Sequence, residues 1–200
     1  KLECDKLKDS DSKLAVWRNG FRVALLTFGL SLVIGSLSTV VVRAVPLFLA
    51  FIVLLAIIAL GIIFDIMGVA VTAAQEPPLH AMSAKRVPGA KQAIRLIRNA
   101  PGVSNFCNDV IGDIAGTISG ATGATIVFYL SRQYPFLRED LLSLVLIAVV
   151  SALTVGGKAI GKHYSINEAT RITFQMGKVF AFLERIHRTE LLKARNNSRR

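Results

Sequence analysis

The nineteen consecutive residues from Pro46 to Phe64 read PLFLAFIVLLAIIALGIIF and contain no charged side chain. A helix of roughly 20 apolar residues is long enough to cross the hydrocarbon core of a bilayer. The apolar character continues past Asp65 to about Gln75. This run therefore predicts a transmembrane helix.

Three further uncharged runs predict three more spans: Val23–Val42, Ile114–Ser131 and Leu141–Gly157. The run Ile114–Ser131 reaches spanning length once the preceding residues from Asn105 are included. The run Leu141–Gly157 reaches it if Asp140 and Lys158 lie at the membrane interfaces. The chain is 52% hydrophobic and only 18% charged, whereas soluble domains are about 25% charged. We predict an all-α integral membrane protein with four transmembrane helices.

The composition excludes two other classes of protein. A chain this hydrophobic does not stay disordered in water. A soluble nucleic-acid-binding domain is nearly excluded although the net charge is +11, because long uncharged runs separate the basic residues.

The basic residues predict the orientation. They concentrate in the leader 1–22, in segment 77–101 and in the tail after Lys158, whereas the other two connections hold few. Positively charged loops stay on the cytoplasmic side. We expect a multi-pass plasma-membrane protein with both termini in the cytoplasm. Residues 23–43 are a retained helix rather than a signal peptide, and Cys4 and Cys107 are free thiols.

Segment 77–101 predicts a cytoplasmic-side helical hairpin, because Pro88 and Gly89 break it in the middle. In the second arm one face carries the cations Lys91, Arg95 and Arg98. These cations either contact lipid phosphates at the membrane surface or form a solvated basic face. Both interpretations remain open.

Residues 165–195 predict an amphipathic juxtamembrane helix. Ser165 and Glu168 have the spacing of a capping box, and apolar residues then recur at helical intervals. Its predicted place is the cytoplasmic interface, against lipid or a partner subunit.

The third span contains Gly112, Gly116 and Gly120 at intervals of four. Small residues on one stripe allow another helix to approach closely. We predict that this stripe is a packing surface.

Ionisable and amide residues within or beside the spans form the candidate functional site: Asp65, Asn108, Asp109, Asp113 and Lys158. A charge at the bilayer centre costs about 2.5–3.5 kcal/mol on insertion scales, so it usually faces a polar partner. One interpretation is a cation site, since carboxylate and amide oxygens suit Mg²⁺ or Ca²⁺. The other is an internal salt bridge between Lys158 and an aspartate. Nucleophile, Walker A and His-Glu-x-x-His motifs are absent, so we expect no enzyme.

Four stretches of the chain resemble the transmembrane domain of the CNNM/CorB family of magnesium-transport-related proteins. The closest is residues 85–101, KRVPGAKQAIRLIRNAP, beside the family pattern Gly-x-x-x-Ala-Lys-x-Ala-Leu-x-Leu-x-x-x-Pro. The others are FDIMGVAVT at 64–72, IGD at 111–113 and GKAIGK at 157–162. The resemblance covers about Pro46 to Leu192, with residues 46–162 as its membrane core, and implies a homodimer and a Mg²⁺ path. In that family nucleotide-binding CBS domains usually follow the membrane core; we expect none after Leu192 and therefore no gating by them.

The departures from the family concern charge. Gly68 stands where the family has an acidic residue, and Lys158 stands where it has glutamate. Asp65 and Asp113 stand where the family tends to have serine and asparagine. One hypothesis is a divalent-cation transporter with Asp65, Asn108, Asp109 and Asp113 lining the path. The alternative is a non-transporting membrane scaffold or partner of another membrane protein, in which Lys158 neutralises the ancestral site. The direction of the Lys158 side chain discriminates between them.

Overall fold

The computed structural model describes the backbone of residues 2–134 and 139–197, and the side chains of residues 18, 20–42, 44–134 and 139–186. Most side chains of the leader, and those after Ile186, lie outside the described residues. Within these ranges the chain is helical and has no strand. The α-helices are α1 Leu2–Ala44, α2 Leu47–Ala73, α3 Glu76–Ala84, α4 Ala90–Arg98, α5 Ala100–Asn105, α6 Asp113–Gln133, α7 Glu139–Asn167 and α8 Ala169–Asn197. A π-helical segment, Phe106–Gly112, joins α5 to α6.

In the part of the chain that the structure describes, four helical stretches are long and apolar enough to cross a membrane: Gly20–Val42, Leu47–Ala73, Ala100–Gln133 and Glu139–Asn167. Their large apolar side chains are widely exposed; Phe48 is 76% and Leu144 is 69% exposed. Contiguous apolar surface of this extent indicates contact with lipid rather than water. The prediction of an all-helical chain with four candidate membrane spans is confirmed.

The helices extend beyond the predicted spans at two places. The leader and the first span form one continuous helix, α1. Helix α7 continues nine residues beyond Lys158, to Asn167. The predicted capping box is therefore wrong, because Ser165 lies inside α7 and its hydroxyl donates a 2.6 Å hydrogen bond to the carbonyl of Ile66.

The chain divides into two compact units. The first comprises Lys1–Ile57 and Ile114–Ile147. In it the hydroxyls of Ser38 and Thr122 form a buried 3.0 Å hydrogen bond. A hydroxyl pair satisfies both polar groups where no water reaches them.

Helix α6 does not pack on its predicted glycine stripe. A methyl group at Gly116 or Gly120 would meet no described atom within 4 Å. The buried face instead contains Ala115, Ser119 and Gly123. This stripe has the same spacing of four and lies one residue away, about 100° around the helix. Because both stripes consist of small residues, the sequence could not decide between them.

The second unit comprises Ile58–Asp113 and Ala148–Arg200. In it α3 and α4 pack against α8 around the buried residues Leu79, Ala93 and Ile94. Prolines in the first turn of α3 suit a helix start. Between α3 and α4, Gly89 has φ of +92°, a conformation that glycine adopts without strain.

Candidate intramembrane charge cluster

Helix α2 carries the most buried ionisable group of the predicted site. Asp65 is 6% exposed and lies within the span Leu47–Ala73. Of its two carboxylate oxygens, Oδ2 is buried without a hydrogen-bond partner among the described residues. An ionised carboxylate in such surroundings is stable only beside a compensating charge.

The compensating charge comes from Lys158 on α7. Its Nζ atom lies 4.0 Å from Oδ1 of Asp65 and 4.0 Å from Oδ1 of Asp113. The Lys158 side chain is 25% exposed, whereas that of Asp113 is 71% exposed. Lys158 therefore points into the aspartates, and these three residues are called the charge cluster below.

The π-helical segment contains Asn108, the amide residue of the predicted site. Its i→i+5 hydrogen bonds turn the side chains to other directions than an α-helix would, and such segments are frequent at functional sites. Asn108 comes so close to α2 that a Cβ atom at Gly68 would overlap its Oδ1 atom. Its Nδ2 group donates to Ser104 at 3.2 Å, whereas Oδ1 is buried without a described partner. Gly68 thus makes room for an amide beside the charge cluster.

Lys158 reaches Asp65 because α7 lies very close to α2. A Cβ atom at Gly161 would lie 2.7 Å from Cγ1 of Ile66, and one at Gly157 would overlap Ile62. Ser165, four residues further on, bonds to the backbone of α2. Gly157, Gly161 and Ser165 form a stripe of small residues at intervals of four, which permits close helix approach. Sequence reasoning missed this stripe, although the same spacing rule could have found it.

Two other predicted site residues lie beside or outside the cluster. A Cβ atom at Gly112 would lie 3.5 Å from Nζ of Lys158, so this glycine borders the ammonium. Asp109 is exposed, and the two ion pairs of Lys158 go to Asp65 and Asp113 instead.

The predicted membrane-surface cations lie on the exposed face of α4. Arg95 pairs with Glu184 at 3.8 Å and Arg98 with Glu76 at 3.6 Å, while Lys91 is exposed. The hydrogen bond from His80 holds the pKa of Glu76 below its usual value, and the charge of Arg98 adds to this effect. Two of the three cations therefore have carboxylate partners within the second unit.

The residues present do not fit a resident divalent cation. Within the described part of the chain, no three His, Cys, Asp or Glu side chains are grouped so that they could hold a metal. The two carboxylates that come closest share the ammonium of Lys158. The Lys158 ammonium therefore already places a positive charge beside the two carboxylates that a cation would use as ligands.

Comparisons of the chain with protein-family models, with curated proteins and with solved structures find no match. The CNNM/CorB resemblance therefore stays a prediction.

Removal of the Ser165 hydroxyl tests the α2–α7 contact. Ser165→Ala should lower the stability of the detergent-solubilised protein by about 1 kcal/mol, the net worth of one hydrogen bond. Thr72→Ala is the matched control, because the Thr72 hydroxyl bonds only within α2. Thermal unfolding of both variants measures the difference. Equal melting temperatures would show that the Ser165 bond does not stabilise the contact.

Proposed function

We propose that this chain is a non-transporting membrane protein in which the Lys158 ammonium takes the place of a divalent cation. The observation that supports the proposal is the position of Nζ, 4.0 Å from a carboxylate oxygen of Asp65 and of Asp113. A lysine ammonium is a fixed unit charge on a flexible stem and can satisfy the same oxygens as a metal ion. The protein then acts as a membrane scaffold or as the partner of another membrane protein.

Electrostatics disfavours a metal ion beside Lys158. Two like unit charges 4 Å apart repel by about 4 kcal/mol at an effective dielectric constant of about 20. A divalent ion at the same distance doubles this repulsion. The repulsion cancels about half of the attraction that two carboxylates at that distance would exert on the ion. We therefore expect the tethered ammonium to take the place of a mobile divalent ion.

The second candidate function is transport of Mg²⁺ along a path lined by Asp65, Asn108 and Asp113, with Asp109 at its exposed end. It is favoured by two buried oxygens, Oδ2 of Asp65 and Oδ1 of Asn108, which have no described hydrogen-bond partner. Hard oxygens without a donor are suitable ligands for Mg²⁺ as a transported substrate. Under this candidate Lys158 must leave the aspartates during transport.

Both candidates share one cellular setting. The proposed location is the plasma membrane, with both termini and helices α3 and α4 on the cytoplasmic side, as the distribution of basic residues favours. The resemblance to the CNNM/CorB family adds a homodimer to this proposal.

Mg²⁺-dependent thermal stabilisation of the purified full chain separates the two candidates. For the non-transporting protein, Mg²⁺ should leave the melting temperature of wild type unchanged. Lys158→Glu restores an acid at this position and should raise the melting temperature by about 5–10 °C at a Mg²⁺ concentration hundredfold above the dissociation constant. Lys158→Gln removes the ammonium without adding charge and should gain a smaller response.

The controls are Lys162→Glu and a monovalent salt of equal ionic strength. Lys162 is exposed on the same helix, so its replacement should create no Mg²⁺ response. Stabilisation of wild type by Mg²⁺, lost in Asp113→Asn, would overturn the non-transporting proposal in favour of transport.

A further inference from the structure

A groove of about 500 Å³ lies between α4, α5 and α8 in the second unit. Four of its eight lining residues are apolar and are together called the apolar wall: Leu96, Val103, Phe180 and Leu183. Its volume falls within the range of roughly 300–1,000 Å³ found for small-molecule sites. Phe180 and Leu183 are each about half exposed. The groove thus offers open apolar surface to a ligand.

The groove lies where a helical stretch with a candidate membrane span begins. Val103 is near the start of that stretch, Ala100–Gln133, whereas Leu96 precedes it on α4. Next to the lining residues, α8 also exposes the apolar side chains of Phe182 and Ile186. At the start of a membrane helix an occupant can reach both the headgroup region and the hydrocarbon. This position favours a lipid over a water-soluble ligand.

The other four lining residues are together called the polar wall and carry both signs of charge: Arg95, Glu184, Gln92 and Asn99. Gln92 donates a 2.9 Å hydrogen bond to Oε2 of Glu184, while Nη1 of Arg95 lies 3.8 Å from Oε1. The second distance exceeds a hydrogen bond, and both charged side chains are more than half exposed. The guanidinium and the carboxylate can therefore each receive a ligand group of opposite charge.

The neighbouring cations do not belong to the lining of the groove. Arg98 pairs with Glu76, and the Lys178 ammonium lies over the ring of Phe174, 4.6 Å from its centroid. Lys91 and Arg185 are exposed but do not line the groove. The polar wall therefore presents one cation and one anion side by side, a pattern that complements a zwitterion.

We propose that this groove binds a phospholipid with a phosphoethanolamine headgroup. One acyl chain lies along the apolar wall, the phosphate accepts hydrogen bonds from Arg95, and the primary ammonium donates to Glu184. Phosphatidylglycerol has no ammonium, so its phosphate would face Glu184 uncompensated. The choline group of phosphatidylcholine has no N–H donor. The site uses no residue of the charge cluster, so it stands apart from the proposed function.

Binding of three short-chain lipids to the full chain in detergent tests this inference. The probes are phosphatidylethanolamine, phosphatidylcholine and phosphatidylglycerol with identical acyl chains, and the readout is the dissociation constant by titration. Wild type should bind phosphatidylethanolamine about tenfold more tightly than phosphatidylcholine, as one charge-assisted hydrogen bond implies. Glu184→Gln should abolish this preference. Arg95→Gln should weaken the binding of all three lipids.

Glu168→Gln and Arg171→Gln are the matched controls, since these residues form an exposed pair at 3.7 Å on and beside α8 that does not line the groove. Both should retain wild-type preference. The inference is overturned if the three lipids bind equally, if phosphatidylglycerol binds most tightly, or if Glu184→Gln keeps the preference. Unchanged melting temperatures of the four glutamine variants establish that any lost binding does not come from unfolding.

Discussion

Replacing Lys158 with methionine should destabilise the protein by about 3 kcal/mol, because it leaves the buried Asp65 carboxylate without its counter-charge. Removing one partner of a buried ion pair typically costs about 3–5 kcal/mol. We expect the lower end of that range, since the Lys158 side chain is 25% exposed and its ion pairs span 4.0 Å. Methionine keeps most of the aliphatic part of the lysine side chain, so the lost stability comes from the missing charge rather than from lost packing.

A double-mutant cycle isolates this interaction. Lys158→Met with Asp65→Asn removes both charges and should recover most of the loss, which is the expected behaviour of coupled residues. Lys162→Met is the matched control on the exposed side of α7, with an expected effect within about 0.5 kcal/mol. Thermal unfolding in one detergent measures five proteins: wild type, Lys158→Met, Asp65→Asn, the double variant and Lys162→Met. If the double variant is no more stable than Lys158→Met, Asp65 is not the group that Lys158 neutralises.

The second large effect is expected from Gly89→Ala. A Cβ atom at Gly89 would lie 2.7 Å from the backbone nitrogen of Lys178 and 2.8 Å from its Cα atom. The φ of +92° adds a conformational penalty for any residue with a Cβ atom. On the facing helix, a Cβ atom at Gly177 would overlap the Gly89 carbonyl oxygen. The contact is made by two backbones, which cannot yield as a side chain does.

We therefore expect Gly89→Ala to lower the stability by about 3 kcal/mol, from steric overlap and backbone strain together. Hydrogen exchange should show lost protection in α4 and in the first half of α8. Gly116→Ala serves as the control, because open space surrounds this position and alanine favours a helix. Wild-type protection of α4 in Gly89→Ala would refute the close backbone contact.

The sequence predicted part of the candidate site, because burial in a membrane restricts the surroundings of each charged residue individually. Asp65, Asp113 and Lys158 could be singled out because a charge inside an apolar run has few stable surroundings. A salt bridge between Lys158 and an aspartate was one of two interpretations, and the sequence could not decide between them, since Asp65 and Lys158 are 93 residues apart. The position of the Asn108 side chain also depends on a π-helical segment, which no spacing rule in the sequence indicated. Asp109, beside Asn108, remained exposed.

Hydrophobicity summed along the chain determined the class of protein and its four candidate membrane helices, because the bilayer selects helices by length and composition alone. Which faces of those helices meet depended on side-chain shape in three dimensions. The chain offers small-residue stripes at Gly112–Gly120, at Ala115–Gly123 and at Gly157–Ser165, and spacing does not rank them. Only the tertiary structure showed that the last of these lets α7 approach Ile62 and Ile66. That approach places the Lys158 ammonium 4.0 Å from a carboxylate oxygen of Asp65 and of Asp113, because the lysine side chain spans the short distance between the two helices.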